Sequence, residues 1–270
     1  MRKFILLDTE TTGIEDEDKI IQLGYIVLGK PSDKAEVYQD FCSTDIDIKI
    51  PAMETHNITP EIIDGKPTLV NTNSFKKLNE LNSDENIMVI HNAPFDLGML
   101  AKEKFENKMK LIDTLVVSKH LLPDSEFHRL QFFRYQMGLY KIEKAEADSL
   151  GIIVKAHDAI GDVLVMKLLM TKLIKICQEQ FPGIDPIQKM VELTKIIPIM
   201  KKVPFGKHKG KNMLDAVNED IGWFRWALGN MSDMSEELKH NINYYIEESK
   251  KINEDLNKNK TSTTNVFMDD

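Results

Sequence analysis

Acidic side chains stand at the ends of apolar runs in three well-separated places along the chain, and this restricts the fold more than any other feature. The first is Asp8-Thr-Glu10, directly after Phe4-Ile5-Leu6-Leu7. The second is Asp96, in His91-Asn-Ala-Pro-Phe-Asp96, after an apolar strand that ends at Ile90. The third is His157-Asp-Ala-Ile-Gly-Asp162, where a long helix begins. A carboxylate at the edge of a buried element is costly unless it is paired or coordinated. Alternation along an extended chain puts Asp8 and Glu10 on the same side. A fold that gathers the three segments around a shared divalent cation removes the cost.

The apolar pattern around these acids predicts a mixed α/β domain. Strands are expected at residues 4–7 (followed by a turn), 20–28, 35–42, 86–91 and 110–112, with Gly29-Lys-Pro-Ser32 as a hairpin-like connection. Helices are expected at 74–81, 93–105, 114–121 and 130–137. A long amphipathic helix at 159–180 would carry Ile160, Val163, Leu164, Leu168 and Ile174 on its apolar face. Residues 51–65 read as a loop with one short helical piece. Strands come first and then alternate with helices, which implies a mixed sheet covered by helices on its faces. With 270 residues, room remains for a smaller second unit. Phe181-Pro-Gly-Ile-Asp-Pro186 reads as a linker. The expected organisation is a main domain at 1–178, a linker and helix at 179–200, a small basic and aromatic module at 201–231, and a helix with Tyr244 and Tyr245 leading into a disordered polar tail at 232–270.

Hard cations such as Mg²⁺ and Mn²⁺ take oxygen ligands. Four carboxylates can neutralise two of them. Two ions about 4 Å apart can stabilise both the attacking and the leaving oxygen of an in-line phosphodiester displacement. The chemistry then lacks only a base for the attacking water, and His157 fits because histidine titrates near neutral pH. The formal net charge of -8 is unusual for a chain that meets nucleic acid, because such binding is driven by cationic side chains. Contact must therefore be local, through a basic patch or through bound cations that invert the field of the acids. Cys42 and Cys177 belong to no paired motif and read as buried thiols of a reducing compartment. The N-terminal apolar run is too short for a signal-peptide core or a membrane span. A cytoplasmic location with no membrane contact is expected.

The three motifs, in this order and spacing, resemble the DEDDh group of 3′–5′ exonucleases over roughly residues 1–178. Asp8-Thr-Glu10-Thr-Thr-Gly13 matches the first motif, Asn92-Ala-Pro-Phe-Asp96 the second, and His157-Asp-Ala-Ile-Gly-Asp162 the third. A histidine five residues before the last aspartate assigns the DEDDh subgroup. The resemblance implies a ribonuclease H-like fold, a mixed five-stranded sheet whose second strand is antiparallel to the rest. It implies Asp8, Glu10, Asp96 and Asp162 as ligands of two Mg²⁺ or Mn²⁺ ions, and His157 as general base. It further implies that Thr11, Thr12 and Gly13 bring backbone amides to the terminal nucleotide, glycine tolerating unusual backbone angles. Ile14 would pack on the terminal base, Phe95 would wedge or stack, and Asn92 would touch substrate. His56 lies in a loop similar to a substrate-side loop of relatives, where a structural role is equally open.

Other residues read as structural. His91 ends a strand, His128 caps the helix after it, and Asp113 marks a turn rather than a ligand. Beyond residue 200, Val203-Pro-Phe-Gly-Lys-His-Lys-Gly-Lys211 clusters Lys207, Lys209 and Lys211 without an acid, and Gly222-Trp-Phe-Arg-Trp226 follows. This resembles a small C-terminal module of exonuclease X-like nucleases, of α+β or helical type, whose lysines would grip phosphates. The expected partner is nucleic acid, DNA 3′ ends first, for an enzyme of exonuclease X type in repair. A proofreading subunit bound to a DNA polymerase and an RNA-trimming enzyme share the same catalytic residues. A catalytically silent nucleic-acid-binding protein would need a missing ligand, and none is missing. Oligomeric state is not encoded in any motif.

Overall fold

The first strand, β1 (Phe4–Thr11), outruns its apolar segment. It was expected to turn at Asp8. In the computed structural model, which describes residues 2–30, 32–153 and 158–264, it continues because an antiparallel partner keeps supplying backbone hydrogen bonds. That partner is β2 (Ile20–Leu28), which places Gly24 opposite Asp8 and Gln22 opposite Glu10, with a bulge just after. On its other edge β1 meets the parallel strand β4 (Ile87–Ile90) only from Phe4 to Leu6. β1 runs on past this pairing, and Asp8 and Glu10 lie in that further stretch. β3 (Glu36–Phe41) pairs antiparallel with β2, and β5 (Lys110–Asp113) pairs parallel with β4. The order is β3-β2-β1-β4-β5, and β2 alone runs against the rest. This is the expected ribonuclease H-like mixed sheet.

Two helices, not one, fill residues 51–65. α1 (Ile50–His56) and α2 (Pro60–Ile63) each have a proline in their first positions, where the missing N–H costs nothing. Asn57 closes α1 in the left-handed region, at φ 60°. α3 (Asn73–Leu81) is capped by Thr72, whose hydroxyl accepts from the Phe75 amide. α4 (Ala93–Lys102) and α5 (Thr114–Leu121) follow β4 and β5 directly. α6 (Leu130–Gln136) begins after Arg129, with no side-chain cap, so His128 is not the cap expected of it; its ring instead meets Phe133 edge-on. α7 (Glu143–Leu150) was not anticipated, its apolar positions being too few to show a period. α8 (Ala159–Gln180) is buried around most of its circumference, packing against β1 and β2 and against α5, α6 and α7. Its single apolar stripe was therefore too narrow a reading.

The chain divides into two units, residues 1–121 with 125–196, and residues 122–124 with 197–270. α9 (Pro186–Leu193), capped by Asp185, falls within the stretch expected as linker and helix and packs on β5 and α8 in the first unit. The second unit is built on α10 (Met213–Asn230) and α11 (Glu236–Thr264), with a core of Val203, Met213, Val217, Phe224 and Ile242. α11 extends well into the stretch expected as a polar tail. Both cysteines are buried free thiols. Among the described residues no helix is long and apolar enough to cross a membrane.

Candidate active site

Asp8, Glu10 and Asp162 offer carboxylate oxygens that all lie within 4.8 Å of one another. Asp8 and Glu10 share a face of β1, as alternation requires. Asp162 comes from the first turn of α8, and Gly24 explains how it arrives. A Cβ on Gly24 would stand 2.9 Å from the Ile160 backbone nitrogen and 3.0 Å from the Ala159 Cβ. The start of α8 therefore presses on the β2 backbone at the residue that pairs with Asp8. Asp162 follows within the same turn.

Asp96 is buried in the first turn of α4, and Thr9 Oγ1 donates to its Oδ1 at 2.7 Å. The helix start is fixed by Asp113, whose carboxylate accepts from the amides of Asn92 at 3.1 Å and Ala93 at 2.9 Å. Asn92 precedes the helix in the left-handed region, at φ 75°, which asparagine tolerates better than most residues. Asp113 also accepts from the Leu115 and Val116 amides, so one carboxylate anchors the starts of two helices. Its position just after an apolar strand was the signal; its partners are 20 and 21 residues upstream.

Burial raises the proton affinities of Asp8, Glu10 and Asp96, and for Asp8 and Glu10 the neighbouring acids add to it. Burial, then the charges of Asp96, Glu10 and Asp162, holds Asp8 well above the usual carboxylate range. Burial, then Asp162 and Asp96, raises Glu10 to about 8. Burial raises Asp96 to about 7, against the opposing hydrogen bond from Thr9. Repulsion among hard oxygen donors at one spot is what a bound divalent cation relieves, so the residues fit such an ion.

His157 lies outside the described residues. Its neighbour Asp158 is held from the sheet, accepting from Gln22 Nε2 at 2.6 Å and Gln39 Nε2 at 3.1 Å. Gln22 Oε1 also accepts from the Ala159 amide at 3.2 Å. Gln22 is thus a buried polar residue that fastens the start of α8. Nothing in the apolar alternation of β2 marked it for that task.

Next to Glu10 opens a cavity of about 500 Å³ lined by Thr11, Gly13, Ile14, Pro51, His56 and Phe95, among others. Ile14 is 80% exposed and Phe95 half-buried at its wall. His56 has both ring nitrogens near backbone groups: Nδ1 accepts from the Ile58 amide at 2.9 Å, so Nε2 carries the hydrogen toward the Thr11 carbonyl at 3.1 Å. Its ring lines the cavity while its polar atoms tie α1 to the end of β1. Gly13 is required for space rather than for an unusual backbone angle, since its φ is not in the left-handed region. A Cβ there would meet Asp18 Oδ2 at 2.4 Å. Asp18, fully buried, accepts from Thr12 Oγ1 at 2.8 Å, the Glu15 amide at 2.7 Å and Lys49 Nζ at 2.7 Å. This residue, unremarked in the sequence, ties the 12–19 loop to Lys49. Thr11 Oγ1 donates to the Gly13 carbonyl at 2.7 Å. His91 stands apart: Thr114 Oγ1 donates to the Ile90 carbonyl and accepts from His91 Nδ1, and burial lowers the ring to about 4.

In the second unit the lysine run forms a tight loop with Gly206 at φ 65° and Gly210 at φ 84°. Its lysines are less available than the local sequence implied. Lys207 pairs with Asp220 at 2.5 Å and Lys211 with Glu219 at 2.6 Å, acids that α10 brings back from further along the chain. Lys207, then His208, holds Asp220 down at about 2. His208 is buried and stacks on Phe224. Lys209 is exposed.

Residues 5–170 match the family model described as an exonuclease, RNase T type. Over 242 residues the chain is 24% identical to exodeoxyribonuclease 10 of Escherichia coli K12, spanning 90% of this chain and 98% of that protein. It is 27% identical over 142 residues to a PolC-type DNA polymerase III of Clostridium perfringens, 51% of this chain but only 10% of the polymerase. A solved exonuclease X in complex with 5′-overhanging duplex DNA superposes with a TM-score of 0.49 at 21% identity, covering 72% of this chain and 99% of that one.

Proposed function

Since the chain belongs to the RNase T exonuclease family, we propose that it is a metal-dependent 3′–5′ exonuclease that releases nucleoside monophosphates from DNA 3′ ends, in a repair role of exonuclease X type. The observation that carries this reading is the convergence of Asp8, Glu10 and Asp162 within 4.8 Å, with Asp96 in the same electrostatic cluster. These four carboxylates would hold two Mg²⁺ or Mn²⁺ ions. The ions, when bound, supply charge stabilisation at the attacking and leaving oxygens. The chain's own groups do the rest. β1 and the starts of α4 and α8 fix the ligands. The cavity beside Glu10 offers Ile14 and Phe95 as apolar surface for a terminal base and the 11–13 backbone for its phosphate or sugar. His157, neutral, would take the proton from the attacking water. Full-length alignment with exodeoxyribonuclease 10 supports DNA as substrate.

Similarity to a stretch of a DNA polymerase III favours a second reading, a proofreading nuclease associated with a polymerase. The test is digestion of end-labelled single- and double-stranded DNA and RNA with Mg²⁺, Mn²⁺ or EDTA. Cation-dependent shortening from the 3′ end is expected, with DNA ahead of RNA. Faster loss of RNA ends would make this an RNA-trimming enzyme, copurification with a polymerase would favour proofreading, and intact termini under every condition would make the protein a silent binder. The rate should rise through neutral pH as His157 loses its proton, and a flat profile from about pH 6 to 9 would remove His157 from that role.

A further inference from the structure

Asp162 arrives on α8, but a second helix also grips it. Gln131, on α6, donates from Nε2 to Asp162 Oδ1 at 2.6 Å. The two ends of an amide are hard to tell apart by shape alone, and Arg134 decides the matter. A guanidinium has donors only, and Arg134 directs one at Gln131 Oε1, 3.3 Å away. The amide oxygen therefore faces Arg134 and the amide nitrogen faces Asp162. Arg134 is fixed in turn by a two-point pair with Glu143, at 2.7 Å from its Nε and 2.5 Å from its terminal nitrogen. Glu143 is buried at the start of α7. Residues 131 and 134 are three apart on one helix and so share a face.

We propose that Gln131 is a positioning residue for the cation-binding carboxylates, and that Arg134 and Glu143 act through it by setting the direction of its amide. This rests on the reading of Asp162 as a cation ligand. A carboxylate rotates freely until a donor holds one of its oxygens. Such outer partners of a ligand change metal affinity or activity by roughly 10- to 100-fold when removed. The relay gives α6 and α7 a task that their sequence does not announce: they hold no ligand themselves, yet they set the orientation of one.

The experiment measures Mn²⁺ binding without nucleic acid, by electron paramagnetic resonance titration, together with kcat and KM on an end-labelled oligonucleotide. Gln131→Leu should weaken Mn²⁺ binding about tenfold and lower kcat by roughly 10- to 100-fold, with KM unchanged. Gln131→Met, closer in length, should do the same and stands in if the leucine variant fails to fold. Replacing Arg134 and Glu143 together by leucine leaves no charge unpaired and should reproduce a weaker form of the defect. A double variant with full Mn²⁺ affinity overturns the orienting role of Arg134. Asp162→Asn is the reference. If it binds Mn²⁺ as the parent does, the ligand reading itself fails. If it loses Mn²⁺ while the Gln131 variants bind and turn over normally, only the relay is overturned.

Discussion

Glu10 and Asp96 hold their protons far above the usual carboxylate range, and that has a direction in pH. Glu10 stands at about 8 and Asp96 at about 7, against 4.5 and 3.8 for the free groups. Between those values the folded chain binds more protons than the unfolded chain, so stability falls as pH rises through that window. Without divalent cations the melting temperature should drop between pH 5 and pH 8. Glu10→Gln and Asp96→Asn should each flatten the drop. Each removes a charge worth on the order of 1–3 kcal/mol at pH 8. Thermal melts in EDTA at both pH values check this, and parallel curves for parent and variants would contradict it. Saturating Mg²⁺ should recover the parent's loss at pH 8 and recover less in the variants. The positions of these acids were legible in the sequence because acids at the ends of apolar runs are awkward. Asp18 and Gln22 were not. A polar residue buried by long-range hydrogen bonds leaves no periodic trace, and the partners of Gln22 lie 136 and 137 residues away.

At the level of elements, strands were legible wherever apolar runs were continuous, while their boundaries and their order in the sheet were not. β1 runs on to Thr11 because β2 pairs with it, and pairing is a property of two segments rather than one. α7 escaped notice for a related reason: its burial depends on α8 lying beside it. Two single positions carry the placement of the helices. Gly24→Ala would drive a methyl into the backbone of Ile160 and the side chain of Ala159. Overpacking of that kind costs about 1–3 kcal/mol, and here it would also push Asp162 away from Asp8. The expected result is a folded protein with lowered stability and kcat reduced at least tenfold. Unchanged turnover would mean that the start of α8 has slack. Asp113→Ala strips the amides at the starts of α4 and α5 of their acceptor. Helix-cap losses run at about 1 kcal/mol each, so a loss of about 2 kcal/mol is expected in chemical denaturation. Activity should fall further than stability alone explains, because α4 carries Asp96. A variant that loses stability but keeps its turnover would separate Asp113 from the site.

Across the whole molecule, charge poses the outstanding problem. A net charge of -8 opposes the approach of a polyanion, and salt-dependent binding needs cations placed locally. The lysine run of the second unit read as that patch. The fold qualifies the reading, since α10 returns Asp220 and Glu219 to Lys207 and Lys211. Those acids lie 13 and 8 residues beyond their partners, outside the run that carried the signal. The three lysines should therefore separate when each is reversed. Lys207→Glu places two carboxylates together beside buried His208, and the melting temperature should fall. Lys209→Glu disturbs no ion pair shown by the structure and should leave the melt unchanged. If the second unit grips phosphate, Lys209→Glu should weaken binding to a labelled oligonucleotide and reduce the salt slope by about one. Fluorescence anisotropy in Ca²⁺, titrated at several salt concentrations, gives both quantities. A weakened affinity with an unchanged slope would point to a lost shape rather than a lost phosphate contact. Equal affinity at every salt concentration would leave bound cations at the carboxylate cluster as the means by which an acidic chain holds its substrate.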